Sequence, residues 1–284
     1  MSTIIERKIK VGNRDRRVSA EFYDSAFEVY EDCKRRPITD SRFHDESKAS
    51  FGNWEGVKTY DEALGYLRNG YQPTVDKLRE KTKITDPGQK RISFQNNIVG
   101  SAPVVPLALR GVPNCMVDTK MKQIKCKVID VYYDMTCSCG TSSSDIIANG
   151  QKVLGAILDL ESQGYRINLY AVQSYNDSIS SDILAVKIKS SNQPLDLKRM
   201  SFPLTHTAFF RVIGFDWYSR FPKGKYRSGY GRALGDELNP EELEEFCRKM
   251  FGFNAILLAG SEILRKSEAH IKEVLINAGK PKRS

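Results

Sequence analysis

The sequence predicts an α/β fold, with a mostly parallel sheet that carries helices on both faces and a helical N-terminal extension. From residue 122 onward, β-branched and aromatic runs alternate with segments of helical apolar spacing, in the order β-α-β-β-α-α-β-α. Before that point, helical spacing dominates over residues 19–35 and 59–80. These two patterns predict a helical segment followed along the chain by a sheet domain.

The composition is that of a chain able to bury a hydrophobic core. Of 284 residues, 40% are hydrophobic and 28% are charged, which excludes a disordered chain. No apolar run approaches the roughly 18 residues of a membrane helix, and the first residues lack a signal peptide's apolar segment. We therefore expect a cytosolic protein with no membrane partner.

Four segments are predicted: a basic N-terminal arm over residues 1–17, a helical extension over 18–95, a connector over 96–121 and an α/β domain over 122–284. The arm is assigned from its crowded cations. Within the extension, Thr59-Tyr-Asp-Glu62 forms a capping box that begins a helix. Prolines in the connector allow only short elements there.

The α/β domain begins with a buried strand over residues 128–133, followed by a helix from about residue 144. Strands over 165–173 and 183–188 are joined by a polar link too short for a crossover helix, so we expect an antiparallel pair. Residues 195–220 are predicted to be mainly helical. Asn239-Pro-Glu-Glu242 begins a further helix, ahead of a short strand and a terminal helix.

Three oxygen-bearing side chains follow the first strand on alternate residues: Asp134, Thr136 and Ser138. Ligands of such sheets gather at the C-terminal ends of the strands. A carboxylate with two hydroxyls at that place can cradle a hard cation such as Mg²⁺. An ordinary polar turn between a strand and a helix has the same composition, and both interpretations stay open.

The β-α-β-β order and this spacing resemble a von Willebrand factor A domain, a Rossmann-like fold, over about residues 122–279. The resemblance implies that Asp134, Thr136 and Ser138 hold Mg²⁺ or another divalent cation and engage a protein partner. That family completes its site with a later Thr and Asp. The nearest candidates here fall in predicted helix, which leaves the implied site degenerate: Thr205, Thr207 and Asp216.

Spaced short motifs resemble an uncharacterised family of phage-encoded proteins. They include Phe51-Gly-Asn-Trp-Glu-Gly, Leu109-Arg-Gly-Val-Pro-Asn-Cys-Met116 and Leu160-Glu-Ser-Gln-Gly-Tyr-Arg166. The resemblance implies a phage or prophage origin, a place in the host cytoplasm and service to a larger assembly such as the virion. It supplies no activity, because the family has none that can be transferred to this chain. The leading hypothesis is therefore a protein-binding module of von Willebrand A type.

A second hypothesis is nucleic-acid binding by the loop 223–235, together with the basic arm. Cations and tyrosines alternate among glycines in this loop, so it can neutralise phosphates and stack on bases. A solvated connector between helices would have a similar composition. The residues concerned are Lys223, Lys225, Tyr226, Arg227, Tyr230 and Arg232.

Two enzyme or metal alternatives are weaker. The cysteines at 115, 126, 137 and 139 lack the paired spacing of zinc ligands. A hydrolase using Asp134 with His206 would need a nucleophile, and no Gly-x-Ser-x-Gly elbow is present. We therefore do not predict an enzyme.

Overall fold

The computed structural model describes residues 2–35, 52, 54–81, 92–121, 128–221, 232–264 and 266–278. Its strands are β1 Thr3–Val11, β2 Arg14–Tyr23, β3 Ile92–Asn97, β4 Ala102–Pro103, β5 Met116–Met121, β6 Val128–Asp134, β7 Arg166–Asn176, β8 Ser180–Lys189 and β9 Ala255–Ala259. Its helices are α1 Ala26–Arg35, α2 Tyr60–Asn69, α3 Gln72–Lys81, α4 Val105–Leu109, α5 Ser143–Ser162, α6 Leu197–Thr205, α7 Phe215–Arg220, α8 Leu234–Glu237, α9 Pro240–Phe251, α10 Gly260–Ile263 and α11 Glu268–Ala278, with a π-helix at Phe209–Gly214.

The main sheet has six strands in the order β1-β2-β8-β7-β6-β9 and is curled into a half-barrel. β2 lies parallel to β8, and β6 lies parallel to both β7 and β9, whereas β1–β2 and β7–β8 are antiparallel. The sheet is therefore mixed, and the predicted mostly parallel sheet of von Willebrand A or Rossmann-like type is wrong. The departure from the prediction comes from an N-terminal hairpin, β1–β2, which pairs with the edge of β8.

That hairpin replaces the expected basic arm over residues 1–17 and the first part of the expected helix over 19–35. Inward side chains such as Ile9, Val11, Val18 and Ala20 are buried, while their neighbours along the strands are mostly exposed or half-buried. This alternation has the period of a strand, and the charges on the outward positions disguise it. Helix α1 begins only at Ala26.

The structure confirms most elements predicted from residue 128 onward. The β6 strand, the α5 helix, the antiparallel β7–β8 pair and the β9 strand lie where expected. Both predicted helix starts are present, because Thr59 caps α2 and Asn239 forms a complete capping box with Glu242 on α9. The expected terminal helix is divided into α10 and α11.

A π-helix inside the helical stretch 195–220 was not expected. The buried side chain of Gln173 on β7 explains it, since its Nε2 donates a 2.5 Å hydrogen bond to the Phe209 carbonyl. Its Oε1 accepts from Tyr175 and lies against Gly214, where any Cβ would overlap it. A side chain from β7 therefore sets the wider turn of the π-helix.

Helices cover both faces of the main sheet. The larger core contains α5, α6, the π-helix and α7, with Leu154, Phe202 and Phe209 fully buried. The smaller core lies on the opposite face, where α9 contributes Leu243 and Phe246. No helix in the described ranges is both long and apolar enough to cross a membrane.

A second sheet, of three strands in the order β3-β5-β4, lies in the chain between α3 and β6. We call residues 92–121 the insert. It occupies the end of the predicted extension and the predicted connector over 96–121. None of its residues 95–118 is buried, in contrast to the strands of the main sheet.

Candidate functional site

Asp134 lies at the end of β6 with its carboxylate fully buried. Its Oδ1 accepts a 3.0 Å hydrogen bond from the backbone N–H of Thr136, and its Oδ2 accepts a 2.6 Å bond from Ser174 Oγ. Ser174 Oγ accepts in turn from the N–H of Leu234 at 3.2 Å. The carboxylate therefore connects β6, β7 and the start of α8.

Burial raises the pKa of Asp134 to about 6, although the hydrogen bonds from Ser174 and Thr136 act in the opposite direction. Desolvation disfavours a charged carboxylate, while donors aimed at it favour the charge. The carboxylate therefore has a structural role, and its hydrogen bonds offset only part of the cost of burying its charge.

The structure brings Asp134 and Thr136 together and separates Ser138 from them. Thr136 Oγ1 accepts from the N–H of Ser174 at 2.8 Å. Ser138 is exposed, and its Oγ accepts from Gly140 within its own loop at 3.3 Å. The buried oxygens thus face N–H and O–H donors, whereas a cation site needs oxygens that are free to accept a metal.

The residues expected to complete the metal site have other partners. Thr205 Oγ1 contacts Thr74 Oγ1 at 3.1 Å, and Thr207 Oγ1 donates to the Glu55 carbonyl at 2.9 Å. Asp216 accepts from Arg220 and Tyr60. Among the described residues, no group of three or more His, Cys, Asp and Glu side chains is placed to hold a metal ion. Divalent-cation binding at Asp134, Thr136 and Ser138 stays a prediction.

Three buried polar residues around this strand end were missed from the sequence. Asn149 on α5 donates from Nδ2 to the Gly260 carbonyl at 3.2 Å, and Asn176 donates from Nδ2 to the Arg232 carbonyl at 2.7 Å. Ser174 bridges Asp134 to α8, as described above. An asparagine inside the apolar stripe of α5 was a usable signal, but Ser174 and Asn176 belonged to an ordinary polar link.

His206 is also buried, but in a different environment. Its Nδ1 accepts from the N–H of Ala208 at 3.1 Å, and its ring packs edge-on against Tyr71 with 4.4 Å between centroids. Burial lowers its pKa to about 4, which keeps the ring neutral at pH 7. Because Asp134 and His206 bind different partners on different elements, the geometry supports no catalytic pair.

The loop that follows Asp134 is held by a clamp of two side chains. Arg211 is buried and donates to the carbonyls of Trp54 at 2.6 Å and Thr141 at 3.0 Å. Its guanidinium also lies 4.3 Å from the Trp54 ring centroid, and Trp54 Nε1 donates to the Cys139 carbonyl. This arrangement fixes the loop carrying Ser138 and is structural.

The predicted nucleic-acid loop lies mostly outside the described residues, which applies to Lys223, Lys225, Tyr226, Arg227 and Tyr230. Arg232 is described: its side chain is exposed and lies 3.2 Å from Glu237. Its backbone pairs with Asn176 at the end of β7. The structure therefore places one of the six predicted residues, beside the end of the interior strand β7.

The N-terminal cations form two groups. Arg7 donates to the Lys249 carbonyl of α9, and the buried Arg16 donates to the Asp177 and Ser180 carbonyls. By contrast, Lys8 and Arg17 lie opposite each other across the β1–β2 hairpin, and both are exposed. Like charges directly opposite each other are unfavourable in a sheet. Of these four cations only Arg16 is buried, and Arg7, Lys8 and Arg17 are exposed.

The insert carries the densest exposed apolar surface of the described chain. Eleven large apolar side chains are exposed in the described part of the chain, and five of them lie within residues 98–112 of the insert, which we call the apolar segment. A single exposed apolar residue needs no explanation, but such a concentration marks an interaction surface. Its members are Ile98, Val99, Val105, Leu109 and Val112.

Comparison with known proteins gives a family but no activity. No curated protein and no solved structure matches the chain. One family model matches residues 5–263, a range that contains the insert and every strand from β2 to β9 in full. Phage origin stays a prediction. The chain belongs to the family described as Domain of unknown function (DUF7192).

Proposed function

We propose that this protein is a non-enzymatic protein-binding module that docks its partner through the apolar segment of the insert. The observation that carries the proposal is the exposure of the segment, which reaches 77% at Val99 and 83% at Leu109. Leaving side chains of this size in water forgoes about 1.5–3 kcal/mol each, which a partner surface would recover. The segment therefore has more to gain from a protein partner than the rest of the described surface.

The polar cluster at Asp134 takes no direct part in the proposed docking. Its hydrogen bonds are used within the fold, so docking through the insert requires no divalent cation. Service to a larger assembly, such as a virion in a host cytoplasm, remains part of the proposal as the setting in which the module would act.

Site-specific photo-crosslinking tests the proposal. A photoreactive amino acid at Val99 or Leu109 is expected to give covalent protein adducts in cells that produce the protein. Phe253 provides the matched control, because it is 86% exposed and apolar but lies outside the insert. Adduct yields at Val99 and Leu109 that do not exceed the yield at Phe253 would refute the proposal.

Nucleic-acid binding is a second candidate, favoured by the exposed like-charge pair of Lys8 and Arg17. Phosphates would relieve their repulsion, and the net charge of +9 would assist. Oligonucleotide affinity should then fall steeply with salt and weaken in a Lys8→Ala/Arg17→Ala variant. The control is Lys77→Ala/Arg110→Ala, which removes two exposed cations elsewhere. Equal affinity of the two variants would exclude the hairpin as the binding surface.

A further inference from the structure

We infer that the groove between α1 and α2 is a binding site for a small carboxylate that carries an aromatic ring. The site is separate from the insert, so the inference goes beyond the docking of a protein partner. It draws on a glycine that the fold does not require, an arginine without an acidic partner and the volume of the groove. The lining of the groove includes Tyr30, Lys34, Asp61, Leu64, Gly65 and Arg68.

The groove is bounded at each end by a contact between the two helices. At one end, Lys34 Nζ of α1 lies 3.8 Å from Asp61 Oδ1 of α2. At the other end, the Arg68 guanidinium of α2 lies 5.6 Å from the ring centroid of Tyr30 on α1. The order of these contacts along the chain shows that the helices are antiparallel. The space between the two contacts is the groove.

Gly65 lies in the interior of α2, where the fold gives no reason for a glycine. Glycine destabilises a helix interior relative to alanine, since it loses more chain entropy on folding. By contrast, Gly150 of α5 is required, because a Cβ there would lie 2.5 Å from the Leu204 carbonyl oxygen. A Cβ at Gly65 would meet no atom of the described chain within 4 Å, and the φ of Gly65 is not positive. The missing side chain therefore relieves no clash and leaves room in the groove.

Arg68 brings an available guanidinium to one end of this space. Its side chain is exposed, and in the described part of the chain it contacts the ring of Tyr30 but no carboxylate or carbonyl oxygen. Phe27 stacks on the same ring, with 5.9 Å between centroids, and so holds Tyr30 in place. A guanidinium with unused donors binds a planar carboxylate through two parallel hydrogen bonds. Arg68 is therefore the anchor for the charged end of the ligand.

The charge of the two helices favours a carboxylate over a phosphate. α1 carries three acidic and two basic residues, and α2 carries two acidic residues and one basic residue, so each helix has a net charge of −1. A phosphate group would bring about −1.5 to −2 charges to this negative surface. A carboxylate brings one charge, which matches the one cation of the groove that has no acidic partner among the described residues, Arg68.

The volume and the apolar lining of the groove define the rest of the ligand. The groove encloses about 240 Å³. A cavity of about 150 Å³ holds benzene, and drug-sized ligands need about 300 Å³ or more. One aromatic ring with a carboxylate therefore fits. The ring would lie over Gly65 and contact the buried Leu64 and the half-buried ring of Tyr30, since aromatic rings favour offset or edge contacts.

A nuclear magnetic resonance titration of the isotope-labelled full chain with phenylacetate tests the inference. We expect amide shifts concentrated at Tyr30, Gly65 and Arg68, with a dissociation constant of about 0.1–5 mM for about ten non-hydrogen atoms in an open site. Phenylacetamide keeps the shape but not the charge, and it should bind at least tenfold more weakly. Arg68→Gln should raise the phenylacetate constant at least tenfold. The control is Arg79→Gln, at an exposed arginine of α3 outside the groove, and it should leave the constant unchanged.

Gly65→Leu separates binding from folding. The new side chain meets no clash and is a better helix former, so the thermal midpoint should equal or exceed the native value. It fills the groove, so the phenylacetate constant should rise at least tenfold. Gly65→Ala shares the helical advantage but leaves most of the groove, and it should change the constant less than threefold. Native affinity in Gly65→Leu or Arg68→Gln would overturn the inference, as would a native chain without saturable shifts up to about 20 mM phenylacetate.

The carboxylate has two sources, a free small molecule or the C-terminal residue of another chain. The peptide acetyl-Gly-Gly-Phe with a free carboxylate distinguishes them. Binding at least tenfold tighter than that of phenylacetate would assign the groove to a chain terminus, and binding no tighter would assign it to a free small molecule. Either result supports the site only if Gly65→Leu abolishes it, and binding that persists in this variant would place the ligand elsewhere and refute the inference.

Discussion

The main sheet and the sheet of the insert differ in how their faces are covered. The main sheet is covered on both faces, with Leu154 and Phe209 fully buried on one side and Phe246 on the other. Residues 95–118 of the insert contain no buried side chain. Burial of apolar area is the dominant source of stability. We conclude that the main sheet and its helices hold the fold together, while the insert is available for recognition.

The largest predicted effect tests the main-sheet half of this comparison. Leu154→Ala should lower the free energy of unfolding by about 2–5 kcal/mol, because it removes a fully buried side chain and leaves a cavity. Urea denaturation measures the change. A loss below about 1 kcal/mol would mean that the core can collapse around the site, and the contrast with the insert would weaken.

A smaller effect concerns the buried carboxylate of Asp134. Its pKa of about 6 lies above the ordinary value near 4, so the folded state binds more protons than the unfolded state between these values. Its contribution to stability is therefore lost as pH rises through that window. Relative to Asp134→Asn, the wild-type protein should lose about 2 kcal/mol between pH 4.5 and 6.5.

Denaturation of both proteins at each pH supplies this comparison, since the effects of other titrating groups cancel in the difference. A constant difference between wild type and variant would show that Asp134 does not titrate in the window. A shift of the opposite sign would show that the hydrogen bonds from Ser174 and Thr136 outweigh burial.

The smallest predicted effect tests the insert. Leu109→Ala makes the same chemical change as Leu154→Ala but at a side chain that is 83% exposed. We expect the free energy of unfolding at low protein concentration to change by no more than about 0.5 kcal/mol. A loss comparable to that of Leu154→Ala would mean that Leu109 belongs to a core, and the comparison of the two sheets would no longer hold.

Elements were predictable where their signals are local. The N-cap at Thr59, the capping box at Asn239 and the apolar stripe of α5 are complete within a few residues of sequence. The β1–β2 hairpin also alternates in sequence, but its charges suggested a solvated arm. Its place in the sheet depends on pairing between residues 17–23 and 180–186, which are far apart in the chain.

The position of the candidate site was predictable from the sequence, but the hydrogen-bond partners of its side chains were not. A strand end at Asp134 followed from the apolar run before it. The groups that occupy its carboxylate region, Ser174 and the N–H of Leu234, lie 40 and 100 residues further along the chain. No short-range spacing reports such partners. Of the three residues that suggested a cation cradle, Asp134 and Thr136 belong to an internal hydrogen-bond network, and Ser138 lies apart in an exposed loop.

The sequence by itself determined most of the helices and strands from residue 128 onward, the antiparallel β7–β8 pair and the location of Asp134 at a strand end. Each of these depends on periodicity, capping or loop length, which act over short stretches of chain. Only the tertiary structure decided the mixed order of the main sheet, the π-helix imposed by Gln173, the internal use of Asp134 and the exposure of the insert. These features arise from contacts between distant segments, where burial and hydrogen bonding outweigh local preference.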